Sequence, residues 1–111
     1  MNLRELAKSL ELERDEFLEI VGLFVEKSGS DLDEMQAAVG EGDGQKVISA
    51  AHSIKGASIN IGLTELYEIA RQTEVEARKN RLLVVSEKIL VIRERLQQIA
   101  QILAEEKRRT R

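Results

Sequence analysis

Cysteine is absent from the 111 residues of this chain, which excludes a disulfide framework and any thiolate metal site. Proline and tryptophan are absent too, and aromatic residues make up only 3% of the sequence. That leaves few of the large side chains that strands and nucleobase-stacking surfaces favour. There is one histidine, so no zinc site can be built from imidazoles, and no Asp/Glu cluster offers companions at ligand spacing. A formal net charge of −3 gives no electrostatic footprint for nucleic acid. No run is long and apolar enough to cross a bilayer, and Met1-Asn2-Leu3-Arg4-Glu5 contains no signal-peptide core. The expectation is a cytoplasmic protein, or a soluble piece of a larger cytoplasmic assembly, with no membrane insertion.

What is present is Leu, Ile, Val, Ala, Glu, Lys, Arg and Gln, most of which suit helices. The length fits a single domain over 1–111. Leu3 to Leu10 reads as a short amphipathic helix. From near Arg14 to Gly40, Phe17, Ile20, Val21, Phe24, Ser28, Leu32, Met35 and Val39 keep a helical stripe. Gly29 inside it is either a tolerated defect or a local bend. Gly40-Glu41-Gly42-Asp43-Gly44 is the clearest loop, with Asp43 placed to cap the next helix. That helix runs to about Asn60, with Val47, Ala50, Ala51, Ile54, Ala57, Ser58 and Ile61 inside. Gly62 marks the turn, Thr64 is a candidate cap, and Leu66, Ile69, Ala70, Thr73 and Ala77 form the following inner stripe. After the polar joint Lys79-Asn80-Arg81, residues Leu82, Val85, Ile89, Ile92, Leu96, Ile99 and Leu103 make an unbroken seven-residue repeat. Such a repeat fits a coiled-coil dimer strand or a bundle helix; three other amphipathic helices and short loops favour the bundle. The predicted fold is all-α, an antiparallel up-down four-helix bundle with a short extra N-terminal helix. The basic end, Lys107-Arg108-Arg109-Thr110-Arg111, reads as a solvated helix end whose cations suit the helix dipole.

The lone His52 points away from the direction shared by Val47, Ala51, Ile54 and Ser58, given about 100° of turn per residue. It is therefore expected on the outer face. Ile48 lies one turn before it, and Lys55, Gly56 and Ile59 lie within two turns after it. Two β-branched apolar residues stand where water is expected. Gly56 costs roughly 1 kcal/mol against Ala in a helix interior and removes a side chain that would crowd the ring. Lys55 places an ammonium within reach of anything attached to the imidazole. An exposed imidazole, with an ordinary pKa of about 6.5, is largely neutral at cellular pH and is a competent nucleophile towards phosphorus. Phosphoryl transfer needs positioning and charge neutralisation above all. The sequence has neither a phosphate-cradling Gly-Lys-Ser/Thr loop nor a Gly-rich turn after a strand. His52 is thus expected to receive phosphoryl groups from another protein and not from ATP.

Ala51-His52-Ser53-Ile54-Lys55-Gly56-Ala57-Ser58, followed by Ile61-Gly62 and Leu66, closely resembles the signature of histidine phosphotransfer (HPt) domains. In that family the pattern is Ala-His-x-Leu-Lys-Gly-x-Ser, then a Gly and a Leu at this spacing, and Glu74 falls where the family often carries Glu. The resemblance implies a four-helix bundle with His52 as phosphoacceptor through its outer ring nitrogen. It implies that Lys55 assists the phosphoryl group, that Gly56 gives a receiver domain access, and that Ser58 packs or hydrogen-bonds inside the helix pair. The implied partners are response-regulator receiver domains or a hybrid sensor histidine kinase, with Mg²⁺ on the receiver and no cofactor on this chain. Ile54 replaces the commoner Leu, and Thr73 stands where Leu often precedes the Glu. The dimerisation domain of sensor kinases usually has an acidic residue after His and a Pro shortly beyond. Ser53 and the absence of proline argue against that relation and against autokinase activity. The expected docking face is Ile48, His52, Lys55, Gly56 and Ile59, extended by Leu18 and Val25, on a monomer. The competing reading is a non-catalytic interaction module using the same patch or the seven-residue repeat.

Overall fold

A computed structural model describes residues 2–109, all-helical with no strand among them. The order is α1 (Leu3–Ser9), α2 (Arg14–Glu41), α3 (Gly44–Asn60), α4 (Thr64–Arg78) and α5 (Leu82–Arg108). Thr110 and Arg111, part of the basic end, lie outside the described residues.

The helix ends follow from local chemistry. The Asn2 side chain accepts from the backbone N–H groups of Arg4 and Glu5 and starts α1. Gly42 closes α2 at φ 71°, a left-handed conformation that glycine adopts without Cβ strain. Asp43 then caps α3 by accepting from Lys46 N–H at 3.2 Å. Gly62 turns the chain at φ 78°, and a Cβ there would lie 3.3 Å from Leu6 Cδ2 of α1. Thr64 is not the cap predicted for α4: it is the first helical residue, Leu63 is the N-cap, and no side-chain cap bond forms. Gly29 interrupts nothing, since α2 runs through it.

The helices α2 to α5 close a ring, α2 on α3, α3 on α4, α4 on α5 and α5 on α2. The short α1 packs on α2. Arg14 of α2 binds the Glu106 carboxylate of α5 at 3.2 Å, and Arg4 of α1 lies 3.7 Å from it. The repeat of α5 is spent inside this ring: Val85, Ile89, Ile92, Leu96, Ile99 and Leu103 are all buried. They meet Phe17, Val21, Phe24, Leu32, Met35, Val47, Ile54 and Leu66 in one core. No helix among the described residues is long and apolar enough to cross a membrane.

Five expected inner positions sit half-buried at the core margin, Ile20, Val39, Ala57, Ile69 and Leu82. Five buried positions among the described residues are polar, Ser28, Asp31, Ser58, Thr73 and Glu74, and the hydroxyls of two of them bond to carbonyls of their own helix. Ser58 Oγ donates to Ile54 O and Thr73 Oγ1 to Ile69 O, both at 2.7 Å, so each hydroxyl is satisfied by its own helix.

Candidate functional site

On α3, Val47, Ala51, Ile54 and Ser58 face the core, which leaves His52 on the outer arc. Its side chain is 66% exposed. Ile59 is exposed and Ile48 half-buried, so an apolar rim flanks the ring on both sides along the helix. Gly56 lies one turn beyond His52. A Cβ built there would meet nothing within 4 Å. No neighbour among the described residues therefore requires a glycine at that position.

The most informative partner of His52 comes from α4. Glu74 is buried, its side chain only 8% exposed, and its carboxylate is ringed by cationic and N–H donors. Its Oε1 lies 2.8 Å from Lys55 Nζ and 3.3 Å from His52 Nδ1, and its Oε2 accepts from Arg78 at 2.9 Å. Burial disfavours the charged carboxylate. Hydrogen bonds from Lys55, Arg78 and His52 outweigh that penalty and hold the Glu74 carboxyl at about 2, against an ordinary 4.5. An ionised carboxylate only accepts. The nitrogen facing it must carry the proton, so the neutral ring is the Nδ1–H tautomer with its Nε2 lone pair free.

A second buried carboxylate borders the site from α2. Asp31 Oδ1 accepts from Lys27 Nζ at 2.6 Å, and Oδ2 accepts from Ser53 Oγ at 2.8 Å. The hydrogen bond with Asp31 raises the Lys27 pKa. Two successive residues of α3, His52 and Ser53, are thus held from two different helices.

The structure brings His52 and Lys55 together, with Gly56 open beside them, and places Ser58 in the core. It does not bring Leu18 to an exposed face. Leu18 is only 6% exposed, because it falls within the wide inner arc of Phe17, Leu18, Val21, Phe24 and Ser28. Val25 is half-buried against the core. Sequence reasoning missed Asp31, Ser53 and Arg78. Asp31 stands between Ser28 and Met35 on the inner arc of α2, and a carboxylate at such a position is itself a signal for a cross-helix partner. No group of three or more His, Cys, Asp or Glu that could hold a metal occurs among the described residues. A cavity of about 570 Å³ lies between α1, the Gly62 turn, the start of α4 and α5 and includes neither His52 nor Lys55.

No curated protein sequence matches the chain. The crystal structure of histidine-containing phosphotransfer protein B (HptB) from Pseudomonas aeruginosa PAO1 is similar, with a TM-score of 0.85 and 29% sequence identity. The similarity covers 100% of this chain and 96% of that one. The sequence profile of the Hpt domain matches residues 19–103, a span that holds His52, its α4 partner Glu74 and most of the core. On that match the chain belongs to the Hpt domain family.

Proposed function

We propose that this chain is a phosphorelay intermediate in which His52 Nε2 accepts a phosphoryl group from a receiver-domain aspartyl phosphate or a sensor kinase. It then passes the group to an aspartate of a response regulator. The observation that carries the reading is the contrast between the two ring nitrogens: Nδ1 faces the buried Glu74 carboxylate, and the ring is otherwise open to solvent.

The chemistry balances on this chain's own atoms. The Nε2 lone pair forms the P–N bond as the P–O bond to the donor aspartate breaks and the carboxylate leaves. Nδ1 keeps its proton throughout. The phosphorylated ring gains cationic character, and Glu74 offsets it across the Nδ1–H bond. Lys55 Nζ, 2.8 Å from Glu74 Oε1, is the nearby cation for the phosphoryl oxygens. Mg²⁺ and the acidic pocket that handle the aspartyl end belong to the receiver in this reading. The chain is a relay intermediate with no nucleotide site and no autokinase activity of its own.

Gly56 supports the docking half of the proposal. A helix-interior glycine costs about 1 kcal/mol, and nothing among the described residues crowds position 56. A partner surface that closes over His52 accounts for it. Ile48 and Ile59 form the apolar part of that contact, with Val25 at its edge. The carrier is read as an up-down, antiparallel four-helix bundle, monomeric and cytoplasmic, with α1 laid against it. The scaffold or coiled-coil reading is less favoured, because the α5 repeat is buried within the chain.

Incubation with a phosphorylated receiver domain tests the proposal. Acid-labile phosphate is expected on the wild type and none on His52→Gln. Equal labelling of both proteins would remove His52 from the role. Partner binding without any labelling would favour the interaction module.

A further inference from the structure

We propose that Asp31 is a positioning residue for the phosphoacceptor, acting from α2 through Ser53, the residue that follows His52 on α3. The inference rests on the relay reading of His52.

Asp31 is 4% exposed, and a buried carboxylate persists only where it is paired and hydrogen-bonded. Its two oxygens have different work. Oδ1 takes Lys27 Nζ, four residues back on the same helix, a pair that fixes no helix against another. Oδ2 takes Ser53 Oγ at 2.8 Å, which ties α2 to α3 one residue from His52. On the other flank Glu74 ties α4 to α3 through His52 and Lys55. Residues 52 and 53 project about 100° apart around α3, so the two carboxylates restrain its rotation from different sides.

Rotation matters because the reacting atom sits far from the axis. With side chains a helix is about 10–12 Å across, so an imidazole near that radius moves about 1 Å for each 10° of helix rotation. A misplacement of that size costs up to about a hundredfold in rate. Rotation also changes the His52 Nδ1 to Glu74 distance, which at 3.3 Å is already at the long end for a hydrogen bond. The Ser53–Asp31 bond therefore protects both the aim of Nε2 and the tautomer that frees it. Lys27 compensates the Asp31 charge locally, so the effect is one of position and not of field.

The experiment compares Ser53→Ala, Asp31→Asn and the double variant with wild type. Two readouts are used: the transfer rate from a phosphorylated receiver domain, and the ¹⁵N shifts of the His52 ring in the unphosphorylated protein. Ser53→Ala should slow transfer roughly three- to thirtyfold and mix the ring tautomers, because the α2 tie is gone. Asp31→Asn retains an oxygen acceptor for Ser53 while discarding the charge, so it should rescue the wild-type tautomer and come within about twofold of the wild-type rate. The double variant should be no slower than Ser53→Ala alone. A purely structural role would lower thermal stability and leave tautomer and rate untouched. The inference is overturned if Ser53→Ala transfers at the wild-type rate with an unchanged tautomer. It is equally overturned if Asp31→Asn is as slow as Ser53→Ala, since charge would then be the cause. A wild-type protein that accepts no phosphate sinks the relay reading and this inference with it. A wild type that does accept it, with variants indistinguishable from it, sinks the inference alone.

Discussion

His52 and Lys55 converge on one atom, Oε1 of Glu74, with Nδ1 at 3.3 Å and Nζ at 2.8 Å. The shared oxygen links the two residues' states. While His52 is unmodified, the Lys55 cation is spent on Glu74. In the proposed relay a dianionic group on Nε2 would compete for that cation, and Arg78 on Oε2 would still compensate the carboxylate.

Glu74 makes stability depend on pH in a stated direction. Its carboxyl lies at about 2 in the folded chain, below its ordinary 4.5. Between these values the unfolded chain binds the proton and the folded one does not. The stabilisation is therefore complete above about 4.5 and is lost as pH falls towards 2. Urea unfolding at a series of pH values should show wild type losing stability over that window more steeply than Glu74→Gln. Parallel curves for the two proteins would contradict the assignment.

Gly56 separates folding from docking. Gly56→Ala should stabilise the protein by about 1 kcal/mol, because the added methyl meets nothing and α3 gains helix propensity. Gly56→Leu should slow transfer from a phosphorylated receiver by roughly tenfold or more while retaining reaction with phosphoramidate, a donor too small to be excluded. A matched loss with both donors would point to a disturbed His52 and not a blocked partner.

The α5 repeat should behave as core and its opposite face as surface. Ile92 is fully buried, and Ile92→Ala should cost about 2–5 kcal/mol in chemical denaturation. Leu83 is 85% exposed, and Leu83→Ala should stay within about 0.5 kcal/mol of wild type. A large loss at Leu83, or one that grows with protein concentration, would indicate a partner on that face.

Periodicity made most of the fold legible. The stripe from Val85 to Leu103, the Asp43 cap and the turn at Gly62 all follow from local chemistry, and so does the outward aim of His52. What it hid was tertiary. Glu74 and Asp31 lie on inner arcs, yet a polar residue in a periodic pattern reads as solvent-facing until its partner on another helix is known. Arg78 matters only because Glu74 turns inward. Leu18 is buried for a related reason: the apolar arc of α2 is wider than a single stripe, as suits a helix packed against α1, α3 and α5.

In the proposed relay the acceptor nitrogen would ride on the middle of a helix started by an Asp43 cap and set between two others, not on a loop. The conformational entropy of aiming it is settled at folding and is not charged again at each encounter. On that reading a visiting protein would meet a ring already mounted on a packed helix, so a brief association would suffice and most adjustments of shape would fall to the visitor.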